Sequence, residues 1–162
     1  MGGFSYKPVT IQVGAEEQMR QRRKAREIAL QVLYSLDVSD GNVKEAIDLF
    51  WKNFEAPKQV RAFSDILIEG AWNNRKQIDT LIGSYAENWS VGRMAKVDKS
   101  ILRMAVYELL YCRDIPPKVA INEAIDLGKL FGSENSGSFI NGVLDALYAK
   151  LRERDTAVGE GF

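Results

Sequence analysis

Residues 20–38 read RQRRKAREIALQVLYSLDV. In the second half of this stretch Ile28, Ala29, Val32, Leu33 and Leu36 recur at helical spacing, while Glu27, Gln31 and Ser35 form a polar stripe every four residues. A strand would alternate with period two, and nothing here does. The expected helix runs from about Glu17 to Val38, and Ser39-Asp40-Gly41-Asn42 is a turn signal that stops it.

The same period continues outward. A second helix is expected over about Val43–Phe54, with Ala46, Ile47, Phe50, Trp51 and Phe54 inward. Proline suits a first helical position, so Pro57 opens a long third helix over about Lys58–Ala86. Its buried side is marked by Phe63, Ile66, Leu67, Gly70, Ile78, Leu81 and Ile82, and Trp89-Ser90-Val91-Gly92 reads as a break. A fourth helix spans about Lys96–Cys112. The fifth starts at Pro117, carries Val119, Ala120, Ala124, Ile125, Leu127 and Leu130, and is capped by Gly132. The last runs over about Ser136–Arg152 on a stripe of Ile140, Val143, Leu144, Leu147 and Leu151. No strand and no repeat emerges. The reading is all-α, a compact helical bundle in one domain over 16–154, between a flexible tail at 1–15 and a frayed one at 155–162.

Charge is distributed less evenly. Arg20, Arg22, Arg23, Lys24 and Arg26 fall within seven residues with no acid among them, in a 162-residue chain of formal net charge zero. The remaining 17 basic residues face 22 acidic ones, a net charge of −5 outside the run. A concentrated cation patch on an otherwise acidic protein suits a polyanion such as nucleic-acid phosphate. The start of a helix disfavours cations because of the macrodipole, which argues that the run serves something beyond helix stability. Arg22 and Arg26 rotate toward the side that holds the core further along. Two unpaired arginines cannot enter a core, so the helix start is expected to overhang the bundle. The competing reading is a solvated end whose arginines pair with Glu16 and Glu27.

Absences narrow the classes. With no histidine, Ser-His-Asp and Cys-His nucleophile systems and the usual zinc sites drop out. Neither a phosphate loop ending in Lys-Ser/Thr nor GxGxxG is present. No enzyme, cofactor or metal is expected. One cysteine, Cys112, points to a reducing cytoplasm.

Three further features stand out. Asn135 or Ser136 would cap the last helix, whose free N–H groups form an anion site, and Phe139 could be either a base-stacking platform or core. Glu108 lies on the apolar side of its helix, with Ile101, Met104, Ala105 and Cys112, and needs a buried partner such as an arginine. Asp98, Lys99, Arg103 and Tyr107 read as the outer side of that helix, open to a protein partner.

Together, RRKAREIALQVLYSLD, VDKSILRMAVYELLY and IPPKVAINEAIDLGKLFGSENSGSFINGVLDAL resemble the NusB family of bacterial transcription antitermination factors, in order from about Arg20 to Leu151. The resemblance implies two small helical subdomains packed together, about six to seven helices in all. It implies binding to boxA-type RNA of ribosomal RNA leaders, jointly with NusE, a small-subunit ribosomal protein, within the RNA polymerase antitermination complex. The family's arginine-rich helix start matches Arg22, Arg23, Lys24 and Arg26, with Arg20 beside them, and Tyr34 matches a family aromatic. The loop before the last helix adds Asn135, Ser136 and Phe139, although Gly137 and Ser138 stand where some relatives carry longer or basic side chains. The implied partner surface is Asp98, Arg103 and Tyr107. Two alternatives stay open, a protein-interaction or self-associating bundle (a homodimer) and an RNA-binding appendage of an RNA-modifying enzyme. The chain's length leaves no room for the modifying domain of the second.

Overall fold

The computed structural model describes residues 14–86 and 90–160, the last six by backbone alone. Seven helices lie among them: α1 (Ala15–Ser39), α2 (Val43–Asn53), α3 (Lys58–Asn73), α4 (Arg75–Tyr85), α5 (Lys96–Tyr111), α6 (Pro117–Phe131) and α7 (Ser136–Glu160), with a 3-10 turn at Val91–Arg93 before α5. No strand occurs among the described residues. The tail expected at 1–15 falls outside them except for its last two residues, as does Trp89 of the expected break.

The helix boundaries follow local chemistry. Asp40 ends α1 in the left-handed region at φ 52°, and its N–H donates to the Leu36 carbonyl. Asp is among the few residues that adopt this conformation readily. The Asn42 side chain then caps α2 by accepting from the Glu45 N–H at 3.0 Å. Pro57 sits at the N-cap of α3, one place before the first helical position expected for it. The expected single helix over 58–86 divides at Asn74, whose backbone N–H (3.2 Å) and Nδ2 (2.8 Å) both donate to the Gly70 carbonyl. A short amide that competes for backbone carbonyls interrupts a helix in this way. At the other end, α7 continues to Glu160, past the expected start of a tail at Asp155.

The division at Asn74 shapes the bundle. Helices α1, α2 and α3 pack on one another, α4 to α7 pack on one another, and α5 also contacts α1 and α3. Residues 98–106 of α5 are therefore buried without a gap. Gly70 of α3 is needed for this approach, because a Cβ there would overlap the Tyr107 ring of α5. The α1 stripe read from the sequence is entirely buried. The core runs through all seven helices, and a satellite of Ala25, Ile28 and Val60 is packed by Phe50, Trp51, Ala56 and Phe63. Four expected core residues are instead exposed: Phe54, Ile66, Val119 and Leu130. Each lies at the edge of its apolar arc or near a helix end.

Candidate nucleic-acid interface

The cation run spans the second turn of α1 to the start of its fourth. The helix begins at Ala15 with Glu16 and Glu17 in its first turn, so the acids meet the positive end of the macrodipole and Arg20 is only the sixth residue. The dipole effect fades beyond the first turn. The electrostatic cost attached to the run is thus largely avoided.

The five cations have separate surroundings. Arg20 is open to solvent and pairs with Glu17 at 3.4 Å. Arg22 is partly covered, lies over the Phe63 ring at 5.4 Å, and donates to Asp114 at 3.2 Å. Arg23 leaves half its side chain exposed and makes a two-point bond to Glu123 at 3.2 and 2.8 Å, which raises its pKa further. Lys24 is exposed and makes no ion pair among the described residues.

Arg26 departs from the expectation of an overhanging helix. Only 2% of its surface is accessible. Its Nη2 and Nε reach Glu108 at 2.7 and 3.0 Å, and Nη1 reaches Glu123 at 3.4 Å. An arginine can be buried here because two carboxylates accept its donors. The expectation for Glu108 holds: it is a buried carboxylate held by an arginine. Burial pushes its pKa up, against the pull of Arg26. Arg26 has no open face for phosphate, and its role at this site is to anchor Glu123 and hence Arg23.

The loop before α7 divides similarly. Asn135 is exposed, and its carbonyl accepts from the Phe139 N–H and the Ser138 hydroxyl. Ser136 is buried, and its Oγ accepts from the Ser133 N–H at 2.8 Å. It shapes the loop and presents no ligand group. Phe139 is half-buried against the core, so only an edge of it reaches the surface.

Sequence reasoning missed the element that joins the loop to α1. Exposed Lys129, in the last turn of α6, lies against Gly137 and lines one cleft with Arg23, Arg26, Glu27 and Glu123. Beside it, Lys24, Gln31, Tyr34 and Phe131 line a groove of about 430 Å³, in which Tyr34 and Phe131 are exposed aromatics. The signal was a Lys-Leu-Phe triplet at a helix end, where a core stripe should have been closing.

The expected partner surface is corrected. Asp98 and Arg103 are buried, and Tyr107 is largely covered, packing on Gly70 and stacking with Tyr111 at 5.0 Å. Arg103 makes a two-point bond to Asp79 at 2.8 and 2.7 Å and reaches Asp37 at 3.1 Å. Five other helices contact α5, and over 98–106 they leave it no open side.

A family model described as NusB family matches residues 23–149. Transcription antitermination protein NusB of Syntrophus aciditrophicus is 67% identical over 140 residues, 86% of this chain and 87% of that protein. Among solved structures, T. maritima NusB is similar at TM-score 0.71 and 36% identity, over 78% of this chain and 89% of that one. A crystal structure of the antitermination factors NusB and NusE in complex with dsRNA contains a chain similar at TM-score 0.74 and 30% identity, over 82% of this chain and 98% of that one. On the family match and the agreement of sequence and fold along most of its length, the chain belongs to the NusB family.

Proposed function

We propose that this chain is a transcription antitermination factor that binds boxA-type RNA together with NusE and helps RNA polymerase pass terminators in the cytoplasm. It acts by binding and carries out no reaction of its own. No helix among the described residues is long and apolar enough to cross a membrane.

The observation that carries this reading is the exposed cation edge of α1. Arg20, Arg23 and Lys24 face solvent there, and Lys129 extends the edge to the loop holding Asn135. In this reading the cations and half-buried Arg22 hold phosphates, Asn135 offers an amide to a base edge, and the rim of Phe139 adds apolar contact. Arg26 and Ser136 position their neighbours. An edge of this size makes about three to five phosphate contacts, a log–log salt slope of roughly −2 to −3.5 on single strands. Weak binding alone and tighter binding with a partner follow.

The test is fluorescence anisotropy of a boxA-type RNA against a scrambled one and a duplex, with and without NusE, across a salt series. Selective binding that tightens with NusE is expected. Equal, weak, salt-sensitive binding to every RNA would overturn the reading and leave a basic helix edge on a family fold.

A further inference from the structure

Each arginine of the α1 run already holds a carboxylate. Arg20 holds Glu17, Arg22 holds Asp114, Arg23 holds Glu123, and Arg26 holds Glu108 with a share of Glu123. Five cations thus face four acids drawn from α1, α5, α6 and the turn between α5 and α6, and the patch that looks strongly positive in sequence is mostly neutralised in space. A phosphate must displace these acids or bind beside them.

The four pairs differ in how they can open. Glu123 is buried and also ties Arg26, so Arg23 would have to swing away from a fixed partner. Glu108 is deeper still. Glu17 sits on the same helix as Arg20, where exposed pairs contribute little. Asp114 is different: its side chain is 73% exposed, it stands on the turn before Pro116, and it touches Arg22 through a single 3.2 Å bond. Arg22 meanwhile has a second contact that does not involve Asp114, over the Phe63 ring at 5.4 Å. Losing the Asp114 contact therefore uncovers an arginine that is already oriented.

We propose that Asp114 is a competing carboxylate that masks Arg22 and lowers the protein's intrinsic affinity for RNA, so that stable binding depends on a partner's added surface. This rests on the RNA-binding reading above. Because the competition is for phosphate, which carries no sequence information, Asp114 sets the strength of binding and leaves its selectivity unchanged.

The experiment compares wild type, Asp114→Asn, Arg22→Ala, the double variant, and Asp48→Asn, which removes the same charge from an exposed position on α2. Each is titrated by anisotropy against boxA-type and scrambled RNA across a salt series, with circular dichroism to confirm folding. Asp114→Asn is expected to tighten both RNAs by the same factor, about two- to five-fold, the range that opening an exposed ion pair allows. It should also steepen the salt slope by up to about 0.7, one more phosphate neutralised on a single strand. The gain should vanish in the Arg22→Ala background and be absent in Asp48→Asn.

Unchanged or weaker binding by Asp114→Asn, with wild type binding normally, overturns the masking and leaves the RNA reading standing. A gain that persists without Arg22, or that Asp48→Asn reproduces, assigns the effect to net charge and also overturns it. Wild type that binds neither RNA overturns the functional reading itself.

Discussion

Arg26, on α1, and Arg103, on α5, are built alike at different places in the bundle. Each is buried, each meets two carboxylates from other helices, and each lies over an aromatic ring, Phe63 at 5.4 Å and Trp72 at 5.9 Å. The difference is in the carboxylates. Those of Arg26, Glu108 and Glu123, have 1% and 7% of their side chains accessible, whereas those of Arg103, Asp37 and Asp79, have 11% and 25%. Asp37 is also shared with Lys99 at 2.9 Å and Lys96 at 3.3 Å. One arginine is sealed and connects outward to the candidate RNA site through Glu123. The other sits at the rim of a network that water can reach. Identical pairing chemistry should then have unequal consequences, since removing a charge is most costly where its partner cannot be solvated.

The sharpest way to break the comparison is to remove each arginine. Arg26→Ala leaves Glu108 buried without its main partner and should cost about 3–5 kcal/mol, or roughly 6–20 °C in melting temperature for a domain of this size. Arg103→Ala leaves carboxylates that lysines and water can serve, and should cost about 1–2 kcal/mol. Urea unfolding at neutral pH measures both. Equal losses would show that accessibility of the carboxylates does not decide the outcome.

This pair also shows what was legible in the sequence. The helical period gave the class and most of the core, because burial of one face is a property of each helix alone. It did not give the break at Asn74, where a side-chain bond to the Gly70 carbonyl outweighs an apolar period that continues on both sides. Arg26 read singly argues for a helix overhanging the bundle. Read with Glu108, a second charge on the core side of another helix, it argues for a buried pair. The two anomalies of opposite sign were each visible, and their complementarity was the missing step. The α5 residues were misplaced for a related reason: Asp98 and Arg103 look like a solvated stripe unless other helices are known to cover it. Nor does sequence reveal that Asp114 and Glu123, distant in the chain, sit on the arginine run.

Titration sharpens the comparison, since the two networks respond oppositely to acid. Burial pushes the Asp37 carboxyl up, but bonds to Lys99 and Lys96 and the charge of Arg103 outweigh it and leave its pKa below the ordinary value. A depressed carboxylate contributes stability above its unfolded pKa, near 3.9, and loses it as pH falls through the folded value. Glu108 is raised, so the folded state holds its proton more tightly, and stability falls as pH rises from the ordinary glutamate range toward the raised value. Wild type should therefore exceed Asp37→Asn in stability by a constant margin at neutral pH, shrinking only below about pH 4. A margin unchanged down to pH 2 would remove the ion network as its source.

The smallest expected effect is at Cys112, which lies next to both the sealed pair and the masking carboxylate. Burial, then the charges of Glu108 and Asp114, push its thiol up to about 11. Only the thiolate attacks iodoacetamide, so at pH 8 this cysteine should react at least about ten-fold more slowly than an unperturbed thiol, even after allowance for the greater nucleophilicity of a more basic sulfur. Asp114→Asn removes the weaker of the two charges and leaves burial and Glu108 in place. The rate should rise by about two-fold, no more. A much larger rise would mean that Asp114 holds the turn closed over the thiol. It would then be a structural latch, and any gain in RNA affinity from the same substitution would have to be attributed to movement of the turn.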